Sequence, residues 1–319
     1  MKTLILAEVE AGSLKKTSIE IAVFAHQIGG EVDALVLGSD VANAAELLGK
    51  YGVKTVYQVS DARLDTPEAQ SVTTAIATAM EKAGADNLLM AKNSLTDSVL
   101  PRVAAREGAA VASNVMEILS VNAEGMEVKR SIFTGKAFAN TTLKGSKRVL
   151  TVKKNSVEVG EGSGPAASIE PLSVSFTEAD FSVKRTGMEK ATGQVLLPEA
   201  QIVVSGGRGM KGPENWNLIE DLAAALGAAT ACSKPVSDLH WRPHHEHVGQ
   251  TGIKVSPNLY IAVGISGAIQ HVAGINSSKV IVAINKDAEA PIFKAADYGI
   301  VGDAFDILPK FTAAVKASA

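Results

Sequence analysis

Short apolar runs alternate along the first hundred residues with segments whose apolar positions recur at helical spacing. Residues 3–9 read as a strand and residues 14–29 as a helix, with Ile21, Phe24, Ala25 and Ile28 stacked on its inner face. Gly29 and Gly30 close that helix. The same rhythm gives a strand over 32–38, a helix over 42–51 closed by Gly52, and a strand over 53–59. A helix over 67–83, a strand over 87–91 and a helix holding residues 100–107 follow. Strands alternating with helices predict a parallel sheet with right-handed crossovers, a doubly wound α/β unit.

The pattern changes after about residue 110. Four β-rich pieces, over 115–121, 127–138, 148–152 and 174–184, are expected to complete the first sheet, with a flexible surface loop over 160–165. A junction is expected over 187–198, because a new βα alternation begins at Gln201. That places an N-terminal α/β domain with extra strands over residues 1–190 and a second α/β domain over 191–319. The second unit reads as strand 201–205, helix 214–226, strand 228–232, and a polar loop running to Gly252. Leu259 then opens an unbroken apolar run, the pattern of a strand buried on both faces. Gly264, Ser266 and Gly267 break the run, a helix starts at Ala268, a strand covers 280–284, and a helix closes the chain over 305–317.

Composition narrows the function classes. Hydrophobic residues make up 46% and charged residues 20% of 319, ordinary for a folded protein of two domains. With 31 basic and 34 acidic side chains the chain advertises neither a nucleic-acid partner nor an anionic membrane surface. Cys232 is the single cysteine, so no intrachain disulfide is possible. No apolar run approaches the ~18 residues needed to cross a bilayer. The chain reads as opening on its first strand, so no signal or transit peptide and a bacterial cytoplasmic location are expected.

Several residues invite chemistry. The strand, glycine turn and helix start around Gly264–Ala268 aim backbone N–H groups at one spot, which suits an anionic or electron-rich ligand, with His271 beside it. Gly207, Gly209 and Gly212 fit a G-x-G-x-x-G fingerprint between strand and helix, but the acid in range, Asp238, falls in a loop. An NAD-dependent dehydrogenase is therefore the runner-up. A nucleotide-binding regulatory protein built on the N-terminal unit is a further rival, opposed by the acidic first βα turn over 7–12. The cluster His240, His244, His245 and His247 tempts a metal reading, yet Pro243 interrupts it, and a solvated loop with no metal is expected. No nucleophile–base constellation is visible, so no catalytic residue is expected.

The residues 259–271, Leu-Tyr-Ile-Ala-Val-Gly-Ile-Ser-Gly-Ala-Ile-Gln-His, resemble the flavin-binding signature of the electron-transfer flavoprotein α subunit. The likeness continues through 278–287, 290–293 and 296–303, and upstream takes in 204–209 and 248–252. The first 190 residues resemble the family more loosely, chiefly through Pro101-Arg102-Val-Ala-Ala. The resemblance implies a C-terminal Rossmann-like domain holding one FAD, and an obligate heterodimer whose β subunit carries AMP or a second FAD. It implies electrons arriving from acyl-CoA and other flavin dehydrogenases and leaving toward a membrane quinone oxidoreductase. The FAD residues it implies are Arg208, Ser233, Lys234, Val248, Gly249, Gln250 and Thr251, with Gly264, Ser266, Gly267, Ala268, Ile269, Gln270 and His271. Asn285, Asp303 and Ala304 complete the set at the adenosine end. His271 is the residue expected to stabilise an anionic semiquinone. Lys234 departs from the arginine usual in the family, keeping the charge while losing the planar fork. A hinge between the two domains is expected at the 187–198 junction.

Overall fold

A computed structural model describes residues 1–10, 13–38, 44–135, 137–187, 197 and 200–318. The chain divides into two compact units, Met1–Ile132 with Ala137–Met188, and Phe133–Lys136 with Glu189–Ala319. The junction expected over 187–198 lies outside the described residues, apart from Gly187 and Leu197.

The first unit contains strands β1 (Lys2–Ala7), β2 (Glu31–Leu37), β3 (Thr55–Val59), β4 (Asn87–Ala91) and β5 (Ala110–Asn122). Strands β6 (Gly125–Ile132), β7 (Ala137–Leu143), β8 (Arg148–Val152) and β9 (Ser168–Pro171) complete one sheet in the order β9-β3-β2-β1-β4-β8-β5-β6-β7. Pairing is parallel except between β5 and β6 and between β6 and β7. The period of two decides which helix covers which face. Ile5 and Ala7 of β1 share a core with Ile21 and Phe24 of α1 (Lys16–Ala25) and Leu48 of α2 (Ala44–Lys50). Leu4 and Leu6 turn the other way, onto Val72 and Ile76 of α3 (Ala69–Ala83) and Val99 and Val103 of α4 (Ser94–Glu107).

The second unit is a parallel sheet of β10 (Ile202–Gly206), β11 (Ala229–Cys232), β12 (Leu259–Val263), β13 (Val280–Asn285) and β14 (Tyr298–Val301), ordered β11-β10-β12-β13-β14. A single parallel bridge from Cys232 to His247 extends the sheet by one residue beyond β11. On one face Tyr260, Ala262 and Ala283 pack with Ile275 of α7 (Ile269–Ile275). On the other, Ile261, Val263 and Ile284 meet Ile219 and Leu222 of α5 (Asn217–Leu226) and Leu308 of α8 (Ala304–Ser318). Both units are α/β.

Two expectations need correction. The piece over 174–184 is not a strand: Val174, Phe176 and Phe181 rest on the core as a strap, bent by a 3₁₀ turn at Glu178–Phe181. The Thr177–Asp180 capping box makes that bend, and the pairing edge is taken instead by β9. The piece over 127–138 is two strands, reversed at Phe133–Gly135, where φ is +49° at Phe133 and +86° at Gly135. The helix holding residues 100–107 is present and starts at Ser94, where Asn93 and Thr96 form a reciprocal cap, and Pro101 lies inside it.

Candidate cofactor-binding site

Because β10 to β13 all run parallel, their carboxyl ends open on one edge, where α/β sheets bind ligands. There they line a cavity of about 650 Å³. Two of the loops touch backbone to backbone. Gly207 N–H donates to the Val263 carbonyl at 2.8 Å and Gly209 N–H to the Gly264 carbonyl at 3.0 Å. A Cβ on Gly207 would lie 2.2 Å from the Gly264 oxygen, and one on Gly264, at φ +60°, 2.8 Å from the Gly209 Cα. Gly207 and Gly209 of the fingerprint therefore form a clasp between β10 and β12, and the Gly209 amide is already used within the protein. Asp238, the acid a dinucleotide fold would need, ends the short helix α6 (Lys234–Asp238) rather than a strand.

Around this clasp polar groups stand without partners. Among the described residues, the N–H groups of Ser266, Gly267 and Ala268 donate to nothing in the chain. Ser233 Oγ, His247 Nδ1 and His271 Nδ1 are buried with no hydrogen bond, and all three residues line the cavity. Unmet buried polar atoms are costly unless a ligand or water satisfies them. Their chemistry, a hydroxyl and two imidazole nitrogens facing one cavity beside free backbone amides, fits a flavin, whose ring edge carries both donors and acceptors.

His271 is 6% exposed and its Nε2 lies 3.1 Å from the Tyr260 hydroxyl. Burial pushes its pKa down to about 4; the Val248 backbone opposes this, though it stands outside bonding geometry with Nδ1. The imidazole is thus neutral at pH 7 and acts as a hydrogen-bond donor or acceptor, not as a cation. Positive charge comes instead from Arg208, whose side chain makes no ion pair or hydrogen bond among the described residues, and from Lys234, whose Nζ is 3.5 Å from Asp238.

The cavity brings together Arg208, Ser233, Lys234, Val248, Gly249, Gln250, Thr251, Gly264, Ser266, Ala268, Gln270, His271 and Asn285. Gly267, Ile269, Asp303 and Ala304 do not line it. Gly267 packs on Ile292, and Ile269 is 71% exposed. Asp303 accepts from Phe305 N–H at the start of α8 and pairs with Lys211 at 3.6 Å, and Ala304 is buried as the first residue of that helix. The Asn285 side chain is committed to local folding, donating to the Ile265 carbonyl and accepting from Asp287 N–H.

The loop expected to be solvated is not solvated throughout. Glu246 is 3% and His247 2% exposed, drawn inward by the pairs of Arg242 with Glu246 at 2.6 Å and Glu220 at 2.9 Å. His247, missed from the sequence, lines the cavity together with Asp238, Ile265, Asp287 and Pro291. Only its one-residue distance from the Val248–Gly252 tract marks it in the sequence. Among the described residues, no cluster of three or more His, Cys, Asp or Glu is placed to hold a metal, and no helix is long and apolar enough to cross a membrane.

Comparison with known proteins agrees along nearly the whole chain. The electron transfer flavoprotein domain model matches residues 3–178, and the electron transfer flavoprotein FAD-binding domain model residues 196–276. The electron transfer flavoprotein subunit alpha of Bacillus subtilis is 36% identical over 99% of this chain and 97% of its own. That of Paracoccus denitrificans is 39% identical over 98% of this chain and 99% of its own. That of Pseudomonas aeruginosa is 37% identical over 99% of this chain and 100% of its own. The chain belongs to the electron transfer flavoprotein α-subunit family.

Proposed function

We propose that residues 191–319 form a Rossmann-like domain that holds one FAD in the cavity at the carboxyl edge of its sheet. The observation that carries this reading is the set of unpartnered groups, Ser233 Oγ and His271 Nδ1 with the amides of Ser266 and Ala268, around one opening. Counting the residue bridged to Cys232 as a vestigial strand, the sheet order becomes 3-2-1-4-5-6, the dinucleotide-binding arrangement. Bound flavin supplies one- and two-electron chemistry; the chain's residues bind it and set its charge balance. Arg208 and Lys234 bring positive charge toward the ring system, and the 249–252 tract supports the ring and ribityl chain. His271 and the free amides of Ser266 and Ala268 favour extra negative charge at the pyrimidine end. Asn285 serves the adenosine end, while Asp303 and Ala304, off the cavity, fix the start of α8.

On this reading the chain is an electron carrier that transforms no substrate of its own. It pairs with a β subunit, through residues 1–190, and that subunit carries AMP or a second FAD. It works in a bacterial cytoplasm, takes electrons from acyl-CoA and other flavin dehydrogenases, and passes them to a membrane quinone oxidoreductase. Anaerobic stopped-flow mixing of the heterodimer with a substrate-reduced acyl-CoA dehydrogenase tests it. Bleaching of the carrier's flavin within catalytic times is expected. Bleaching no faster than with free FAD would refute the assignment of donor.

A further inference from the structure

The mechanism above leaves His247 without a role. Its ring is 2% exposed, lines the same cavity as His271, and is clasped by a turn. A Cβ on Gly252 would meet its Nδ1 at 2.8 Å and one on Gly249 its Nε2 at 3.3 Å, so glycine at both places lets the backbone close over the imidazole. Nδ1 has no hydrogen-bond partner. A buried imidazole with an unused nitrogen, facing a ligand that gains charge, is equipped to move a proton.

The neighbours decide which group in the cavity does so. Arg208 and Lys234 are cationic side chains and have no vacant site for a proton. Burial favours the neutral form of His271, and its Nε2 is already engaged with the Tyr260 hydroxyl. His247 meets the His244 ring at 5.6 Å from the 3₁₀ turn His244–Glu246, Lys234 and Asp238 from α6, and His271 from α7. From β11 it meets Cys232, a thiol that burial pushes up to about 12 and so keeps uncharged. Burial, His244 and Lys234 hold His247 below the ordinary histidine range, whereas Asp238 pulls the other way. It is therefore neutral before reduction and within reach of protonation once negative charge appears nearby.

We infer that His247 takes up one proton when one electron enters the bound flavin, holding the net charge of the site constant. This rests on FAD occupying the cavity. The balance is simple. A reduced donor loses one electron to the flavin, and water supplies one proton to the vacant nitrogen of His247. His247 opposes charge on His271, so protonation of one disfavours protonation of the other.

The test is a potentiometric titration of the FAD-loaded heterodimer from about pH 6 to about pH 8, after flavin content has been measured by absorbance. A one-electron, one-proton step shifts the first potential by about 59 mV per pH unit, a tenfold change in the equilibrium. The native complex is expected to show that slope with a red one-electron spectrum, which places the proton off the flavin ring; a blue spectrum would overturn the inference. His247→Gln is expected to flatten the slope while still binding FAD, and His271→Asn to keep the slope with a displaced potential. A flat profile in the native complex overturns the inference without any variant, and so does a slope that survives in His247→Gln. A complex that takes no flavin refutes the cofactor reading itself, and the inference falls with it.

Discussion

The clasp between the β10 and β12 loops makes a demand that one pair of substitutions isolates. Gly264 at φ +60° and Gly227 at φ +61° share the same left-handed backbone. Alanine at either position meets the same conformational penalty, about 1–2 kcal/mol. Their surroundings differ. Nothing lies within 4 Å of a Cβ on Gly227, whereas one on Gly264 would sit 2.8 Å from the Gly209 Cα and 3.1 Å from its carbonyl carbon. Those atoms are backbone, held by the Gly209 to Gly264 hydrogen bond, so the two loops must separate. Overpacking of this kind adds about 1–3 kcal/mol. Gly264→Ala is therefore expected to lose about 1–3 kcal/mol more than Gly227→Ala in urea unfolding followed by circular dichroism. It should also lose FAD on gel filtration, while Gly227→Ala keeps it. Equal losses of stability, with flavin retained in both, would refute the clasp.

Other consequences follow from single contacts. Tyr260→Phe removes the hydroxyl 3.1 Å from His271 Nε2 and is expected to cost about 1 kcal/mol. Nitrogen NMR of the labelled imidazole should then show an altered tautomer balance; an unchanged spectrum would mean the bond does not set it. His271, with a folded pKa of about 4 against an ordinary 6.5, links stability to pH. Between those values the unfolded chain binds a proton that the folded chain does not, so stability is complete above about 6.5 and falls as pH drops toward 4. The loss is on the order of 3 kcal/mol, and His271→Gln should unfold with a shallower acid dependence; an equal dependence would refute this assignment. Asn93→Ala removes the acceptor for Thr96 N–H at the start of α4 and should lower stability by about 1 kcal/mol in thermal unfolding.

The alternation of apolar runs and helical spacing carried most of both sheets, because parallel strands covered on two faces leave continuous apolar stretches. Leu259–Val263 is the clearest case, with Tyr260 through Val263 all buried. The edge strand Tyr298–Val301 left no such signature, since all four residues are exposed and its pairing is visible only in three dimensions. The reversal at Phe133 was hidden by apolar residues on both sides of it. The glycine turn at Gly264–Gly267 could be read locally, as strand, break and helix follow directly in the chain. What the glycines do could not, because Gly207 and Gly209 answer to a residue more than fifty positions away. His247 was illegible for a similar reason: its burial depends on Arg242 reaching both Glu246 and Glu220.

Flavin content tests the central claim most directly. The chain should be produced with its β partner, purified in the dark, and its visible spectrum and protein concentration measured together. One FAD per heterodimer in the cavity of the second unit is expected (two if the partner also carries one), falling by one when Arg208 and Ser233 are both replaced by alanine. A colourless complex that cannot be reconstituted with added FAD, or a flavin content indifferent to those replacements, would contradict it.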